Sequence, residues 1–343
     1  MKKWIMTILA VAGCHLAYCQ TPESDTVSAR IILVGDAGAL VNGKAPVIDG
    51  IRRFIPLDEK TSVVFLGDNL YRHGLPDEQD EFYSANRAVL DTQALLVKNT
   101  PAKAYFIPGN HDWKNGGTDG YATIIRQQRY IDAVSRDNVK FYPEGGCPGP
   151  VKVSVTDDVV LVIMDSQWWL HPSEKPGIES DCAQKTKEEV LTEIEDILAE
   201  NDRKLIIFAA HHPFKSNGIH GGYYGWKQHL FPLTDVRKNL YIPLPIIGSL
   251  YPVARGIFGT PQDLPHPLYY DMVNQVQEVV KEHKHTIFVH GHEHNLQYLT
   301  DSSFNYIVSG AGCKHSRVQD GGKSHFVTST LGFATLEISK NKN

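Results

Sequence analysis

Five short polar blocks hold most of the residues able to do chemistry: Gly35-Asp36-Ala37-Gly38, Gly67-Asp68-Asn69-Leu70-Tyr71, Gly109-Asn110-His111-Asp112, His211-His212-Pro213 and Gly291-His292-Glu293-His294-Asn295. Carboxylate oxygen, amide oxygen and imidazole nitrogen make a mixed donor set suited to iron, manganese or zinc; a thiolate-rich site would need more cysteines than this chain has. Taken singly the blocks say little, because a Gly-Asp after a strand usually forms a turn or a helix cap. Gly-Asn-His-Asp is more specific, and His292-x-His294 more so, since two rings on one short loop can reach neighbouring ions. A cation held by such donors would polarise what it binds and acidify a bound water. No Gly-rich phosphate loop of the nucleotide-binding kind is present.

Each block directly follows an apolar run. The runs Ile31 to Val34, Val63 to Leu66, Ala104 to Ile107, Val159 to Met164, Leu205 to Ala209, Thr286 to Val289 and Tyr306 to Val308 read as buried strands. Glu188 to Leu198 and Tyr269 to Val280 carry apolar residues at helical spacing and read as core-facing helices. Strands alternating with helices argue for an α/β architecture, in which residues distant in sequence converge beyond the carboxyl ends of the strands. Glycines in the blocks allow sharp turns and close approach of backbone to ligand.

The blocks resemble the calcineurin-like metallophosphoesterase superfamily and, within it, the purple acid phosphatases, from Ile31 to about Gly312. Position 38 is Gly, where the superfamily's phosphodiesterases commonly carry His, and Tyr71 follows Asp68 by three residues. The stretch Gly291 to Leu299, with Ser309-Gly310-Ala311-Gly312, is especially similar to the small, animal-type members. The resemblance implies a four-layer α-β-β-α sandwich of two mixed sheets. It also implies one ion on Asp36, Asp68, Tyr71 and His294 and a second on Asp68, Asn110, His211 and His292, with Asp68 bridging. A Tyr71 phenolate favours Fe(III) at the first position, with Fe(II), Zn or Mn at the second. A metal-bound hydroxide is then the nucleophile, so no Ser or Cys nucleophile is needed. His111 and His220 match the family's substrate-facing histidines. Asp112 either orients His111 or stabilises its turn, and His212 is expected to point away from the metals.

The activity implied is hydrolysis of phosphate monoesters. A metal-dependent phosphodiesterase or nucleotidase, and a non-catalytic surface-binding module on the same scaffold, are the alternatives. Cys313 departs from the family, standing where close relatives place a polar residue, and the segment 214–267 is much longer than in small members. Prolines prevent a long helix in that segment. It is read as a packed insertion of short elements, against a membrane-contacting flap. Trp168, Trp169, Tyr223, Tyr224 and Trp226 are candidate rim aromatics.

With 343 residues, 42% of them hydrophobic, the chain can bury a large core. Its net charge of -5 argues against a nucleic-acid backbone or an acidic membrane surface as the main partner and for small molecules, which the resemblance narrows to small phosphorylated substrates. Lys2, Lys3, the apolar run Ile5 to Leu16 and Ala17-Tyr18-Cys19 read as an export signal over residues 1–19, too short to leave a transmembrane span. A lipid anchor on Cys14 is the competing reading. Either places the mature protein outside the cytoplasm, as a linker at 20–28 followed by one domain at 29–343. Of Cys147, Cys182 and Cys313, the first two are the preferred disulfide, both lying in polar loops that flank one strand pair.

Overall fold

The apolar runs pair into two mixed sheets in a computed structural model that describes residues 27–135, 137–234, 237 and 239–339. The strands in chain order are β1 (Val27–Val34), β2 (Thr61–Leu66), β3 (Lys103–Ile107), β4 (Val139–Phe141), β5 (Val151–Thr156) and β6 (Val159–Ile163). They continue with β7 (Leu205–Ala209), β8 (Thr286–His290), β9 (Leu296–Thr300), β10 (Asn305–Ser309), β11 (Ser324–Thr328) and β12 (Ala334–Ser339). The first sheet runs β12-β1-β2-β3-β4 and the second β11-β9-β10-β8-β7-β6-β5. β1 to β4 are parallel to one another, as are β6, β7, β8 and β10, and antiparallel pairings close every edge except that at β4.

Central strands are buried on both faces, which is why they read as unbroken apolar runs. Alternation along each strand divides the core. Ile31, Leu33, Val64 and Leu66 of the first sheet meet Leu161, Ile163, Ile207 and Val289 of the second. The intervening residues Ile32, Val34, Val63 and Phe65, with Val160, Val162, Ile206 and Phe208, face the other way and join a cluster with helical residues. The helices Pro46–Phe54, Tyr83–Ala94 and Gly120–Val134 connect the parallel strands of the first sheet. Lys187–Glu200 and Pro267–Val280 flank β7 in sequence and complete the expected four-layer sandwich. The Thr186 hydroxyl and Glu189 carboxylate form a capping box that starts Lys187–Glu200, while Pro267, preset for the first turn, starts the other.

Cys147 and Cys182 form the disulfide, closing a loop of sequence separation 35, and Cys313 is free and buried. The expected export signal and Cys14 lie outside the described residues. β1 begins at Val27 and pairs with Ser339, so Val27 and Ser28, read as linker, are strand. Among the described residues no helix is long and apolar enough to cross a membrane. The segment 214–267 forms short helices, Trp226–Leu230 and Leu250–Phe258 the longest.

Candidate metal centre

β1, β2, β3, β7 and β8 end together, and the five polar blocks leave their carboxyl ends. The blocks are stitched to one another by backbone: the Asp36 amide donates to Gly67 O (2.9 Å), the Gly35 amide to Ser309 O (2.7 Å) and the Gly291 amide to His211 O (3.0 Å). Such tight apposition excludes side chains. A Cβ on Gly38 would stand 2.6 Å from the Asp68 carbonyl and 2.8 Å from the amides of Leu70 and Tyr71, so no histidine fits there as the loop now runs. Asp36, Asp68 and His292 adopt φ of 57°, 52° and 67°, a region costly for residues with a Cβ and characteristic of functional loops.

The side chains converge in two sets. In one, the Tyr71 hydroxyl donates to Asp36 Oδ1 at 2.8 Å and lies 3.2 Å from His294 Nε2, which is 3.4 Å from Asp36 Oδ1. In the other, Asn110 Oδ1, His211 Nε2 and His292 Nδ1 stand 3.0 to 3.2 Å apart. Asp68 joins both: its Oδ1 is 3.4 Å from His211 Nε2, and a carboxylate oxygen lies within 4.8 Å of donors of Asp36 and His294. Donors bound at about 2.1 Å to a common ion stand about 3.0 to 3.4 Å from one another, so both sets have the spacing of a coordination shell.

Tautomers agree with this arrangement. Because a carbonyl only accepts, His211 Nδ1 donates to Leu66 O (2.7 Å) and His292 Nε2 to Gln262 O (2.9 Å). Each ring therefore presents its unprotonated nitrogen to the set. The Asn110 amide nitrogen donates to Asn115 Oδ1 at 2.8 Å, turning Asn110 Oδ1 inward.

Electrostatics point the same way. Burial, with the charge of Asp68 added, pushes the Asp36 carboxyl up to about 7. Burial and then the two aspartates hold the Tyr71 phenol well above its ordinary value. For Asp68, burial acts upward but His111 and His211 outweigh it, and the group falls to about 2. The protein alone does not support all three negative charges; cations at the two sets would, and the residues present fit them.

The substrate-facing candidates flank the sets. His111 Nδ1 donates to Arg72 O at 2.7 Å, leaving Nε2 3.8 Å from Asp68 Oδ2. His220 Nδ1 lies 2.8 Å from Asp263 Oδ1, and its ring is centred 4.1 Å from that of His292, tilted by 41°. Asp112 does not orient His111. Its carboxylate accepts from the amides of Gly109, Asn69 and Leu70 and from the side chains of Asn69 and Gln127, so it braces the loops from below. His212 comes within reach of His211 and His292, but Ser166 and Gln262 occupy both its nitrogens at 2.8 and 2.7 Å. Trp168 and Trp169 are core residues, not rim aromatics. Tyr223 and Trp226 are exposed and Tyr224 is half-buried.

Several residues at the site carry no local sequence signal. Lys314 places its ammonium 2.9 Å from the centre of the Tyr71 ring. Asp263 takes both Arg255 Nε and Nη2 at 2.9 Å, and with Gln262 it brings the end of the 214–267 segment into the centre. Glu293 is buried between the two histidines, its Oε1 accepting from the His220 amide at 2.8 Å. Two cavities open here: one of about 180 Å³ at His220, Arg255, Glu293, His294 and Ser316, and one of about 750 Å³ beyond Tyr71, lined in part by Arg72, His73, Lys114 and Arg126.

Comparison with known proteins agrees with the geometry. Residues 29–310 match the family model described as calcineurin-like phosphoesterase. The chain is 24% identical to rat (Rattus norvegicus) tartrate-resistant acid phosphatase type 5, over 95% of this chain and 88% of that protein. Its fold is similar to that of GAP50, the anchor in the inner membrane complex of Plasmodium, with a TM-score of 0.54 and 16% identity over 92% of this chain and 82% of that one. PhoD is also similar, with a TM-score of 0.52 and 11% identity over 93% of this chain and 65% of that one.

Proposed function

The chain belongs to the calcineurin-like phosphoesterase family, and from that premise we propose that it is a phosphomonoesterase of the purple acid phosphatase type, acting outside the cytoplasm on small phosphorylated substrates. The observation that carries this reading is the sharing of Asp68 between two donor sets, one of which contains Tyr71.

Asp36, Asp68, Tyr71 and His294 would hold Fe(III), for which two carboxylates and a phenolate are hard anionic donors. Asp68, Asn110, His211 and His292 would hold Fe(II), Zn or Mn. When bound, the pair supplies Lewis acidity toward the phosphate and lowers the pKa of water. The chain's own residues do the rest. His220, its Nδ1 held by Asp263, can donate as the imidazolium from Nε2 to a phosphoryl oxygen or to the leaving alkoxide, whereas His111 gives its Nδ1 proton to Arg72 O, so its neutral ring turns an accepting Nε2 to the site and donates there only when protonated. Lys314 adds a cation beside Tyr71, which favours a dianionic monoester over a monoanionic diester. Export is supported by the Cys147–Cys182 disulfide, a bond that persists in oxidising compartments.

The test is kcat/KM for p-nitrophenyl phosphate against its bis ester, run with metal analysis and a visible spectrum. A preference for the diester rejects the monoesterase reading. Iron-free active protein without a visible charge-transfer band rejects the Fe(III)-tyrosinate assignment and leaves the two-ion site standing.

A further inference from the structure

The segment 214–267 turns an apolar face to solvent. In Leu250–Phe258, Pro252 is the buried residue, while Leu250, Tyr251, Val253, Ile257 and Phe258 are exposed. At 100° per residue the exposed side chains occupy the arc opposite Pro252, the reverse of a surface helix that buries its apolar stripe. The preceding loop continues the face: Ile246 is 88% exposed, Ile247 67% and Tyr241 64%. Most large apolar side chains left exposed among the described residues lie between Tyr223 and Phe258; the others are scattered. A contiguous patch of this kind marks a contact surface.

We infer that this face docks shallowly on an anionic lipid bilayer. Two observations select that occupant. First, residues 226–258 carry Lys227, Arg237 and Lys238 against a single acid, Asp235, in a chain of net charge -5, while the fourth cation, Arg255, turns inward to Asp263. Lys227 and Arg237 are exposed beside the patch, as is Trp226 at 68%. Apolar side chains rimmed by basic residues and interfacial aromatics suit a headgroup layer of negative charge. A second copy of the chain fits less well, because a two-fold contact would set this basic rim against itself. Second, the loop bonds most of its own backbone donors. The amides of Ile242, Leu244, Ile247, Gly248 and Ser249 all bond to nearby carbonyls, and Pro243 and Pro245 have none to satisfy. Each donor bonded in this way is one fewer to strip of water as a non-helical segment enters the headgroup boundary. Ile246, at the tip, holds φ 70°, a strained region for a β-branched residue. On its inner side the same helix carries Arg255, which clamps Asp263 against His220, so docking would set the metal centre beside the membrane surface.

The test needs no phosphatase activity. The full chain is sedimented with phosphatidylcholine vesicles and with vesicles containing phosphatidylglycerol, at low and high salt, beside the double variant Ile246→Asp/Phe258→Asp. Because the apolar residues 5–16 can also bind lipid, the difference between chain and variant is the readout. Expected are binding to the anionic vesicles that falls several-fold in high salt, and at least a tenfold loss in the variant with circular dichroism unchanged. Should the variant misfold, Lys227→Gln/Arg237→Gln, at exposed positions, is expected to weaken anionic-vesicle binding several-fold. Equal partition of chain and folded variants overturns the inference, as does a dimer, seen by light scattering, that the Asp substitutions split.

Discussion

Around Asn110, His211 and His292 every donor is neutral, and each is aimed by a hydrogen bond from outside the set: Asn115 for the amide, the Leu66 and Gln262 carbonyls for the rings. Around Asp36, Tyr71 and His294 two of the three donors are acids bonded to one another, and the nearby Lys314 supplies positive charge. One position is set by geometry and the other by charge. A neutral, pre-aimed set accepts several divalent ions, whereas an acidic set suits a trivalent one. Asp68, within reach of both sets, would be shared between the two ions.

That contrast is open to attack at several points. Asp68→Asn strikes both positions, so turnover should fall on the order of a thousandfold or more and both ions should be lost; metal analysis beside kinetics reads it. His211→Asn should empty only the neutral set. Metal content is expected to drop from two to one and activity by about a hundredfold, with any visible band from the acidic set retained. If the band goes with the second metal, the sets are not separable. Asn115→Ala touches no ligand of the acidic set, yet should weaken the second metal by about 10- to 100-fold, as loss of an orienting partner does. A chelator titration would show whether only one ion is affected. Tyr71→Phe should abolish the visible band while lowering turnover only about tenfold, since Asp36, Asp68 and His294 remain. Smallest of all, Lys314→Met should raise KM for a monoester by about three- to tenfold and leave KM for a diester nearly unchanged.

The elements visible in the sequence were those whose pattern is local. Seven apolar runs became β1, β2, β3, β6, β7, β8 and β10 because these strands are central and buried on both faces. β4, β5, β9, β11 and β12 were not read. β4 has three residues, and β5, β11 and β12 are edge strands with much half-buried or exposed surface; β12 pairs with the distant β1, whereas β5 forms a hairpin with the adjacent β6. The helices Pro46–Phe54, Tyr83–Ala94 and Gly120–Val134 were also missed. At the site, the ligand candidates were legible because each follows a strand and joins a family pattern. Asp112 showed the limit of adjacency: standing beside His111 in sequence, it turns inward to four loop donors and one from the helix Gly120–Val134 instead.

Residue order alone determined which chemistry was available. Oxygen and nitrogen donors, each one turn past an apolar strand, can meet only where parallel strands end, because strand direction and the crossover connections leave no other place. Tertiary structure decided how those donors are held and what surrounds them. Arg255, Gln262, Asp263 and Lys314 reach the centre through packing of a long segment and a late loop. The apolar face of Leu250–Phe258 was likewise settled only there. An apolar stripe in a sequence states a period, and whether it points inward or outward depends on which side of the helix the rest of the chain covers.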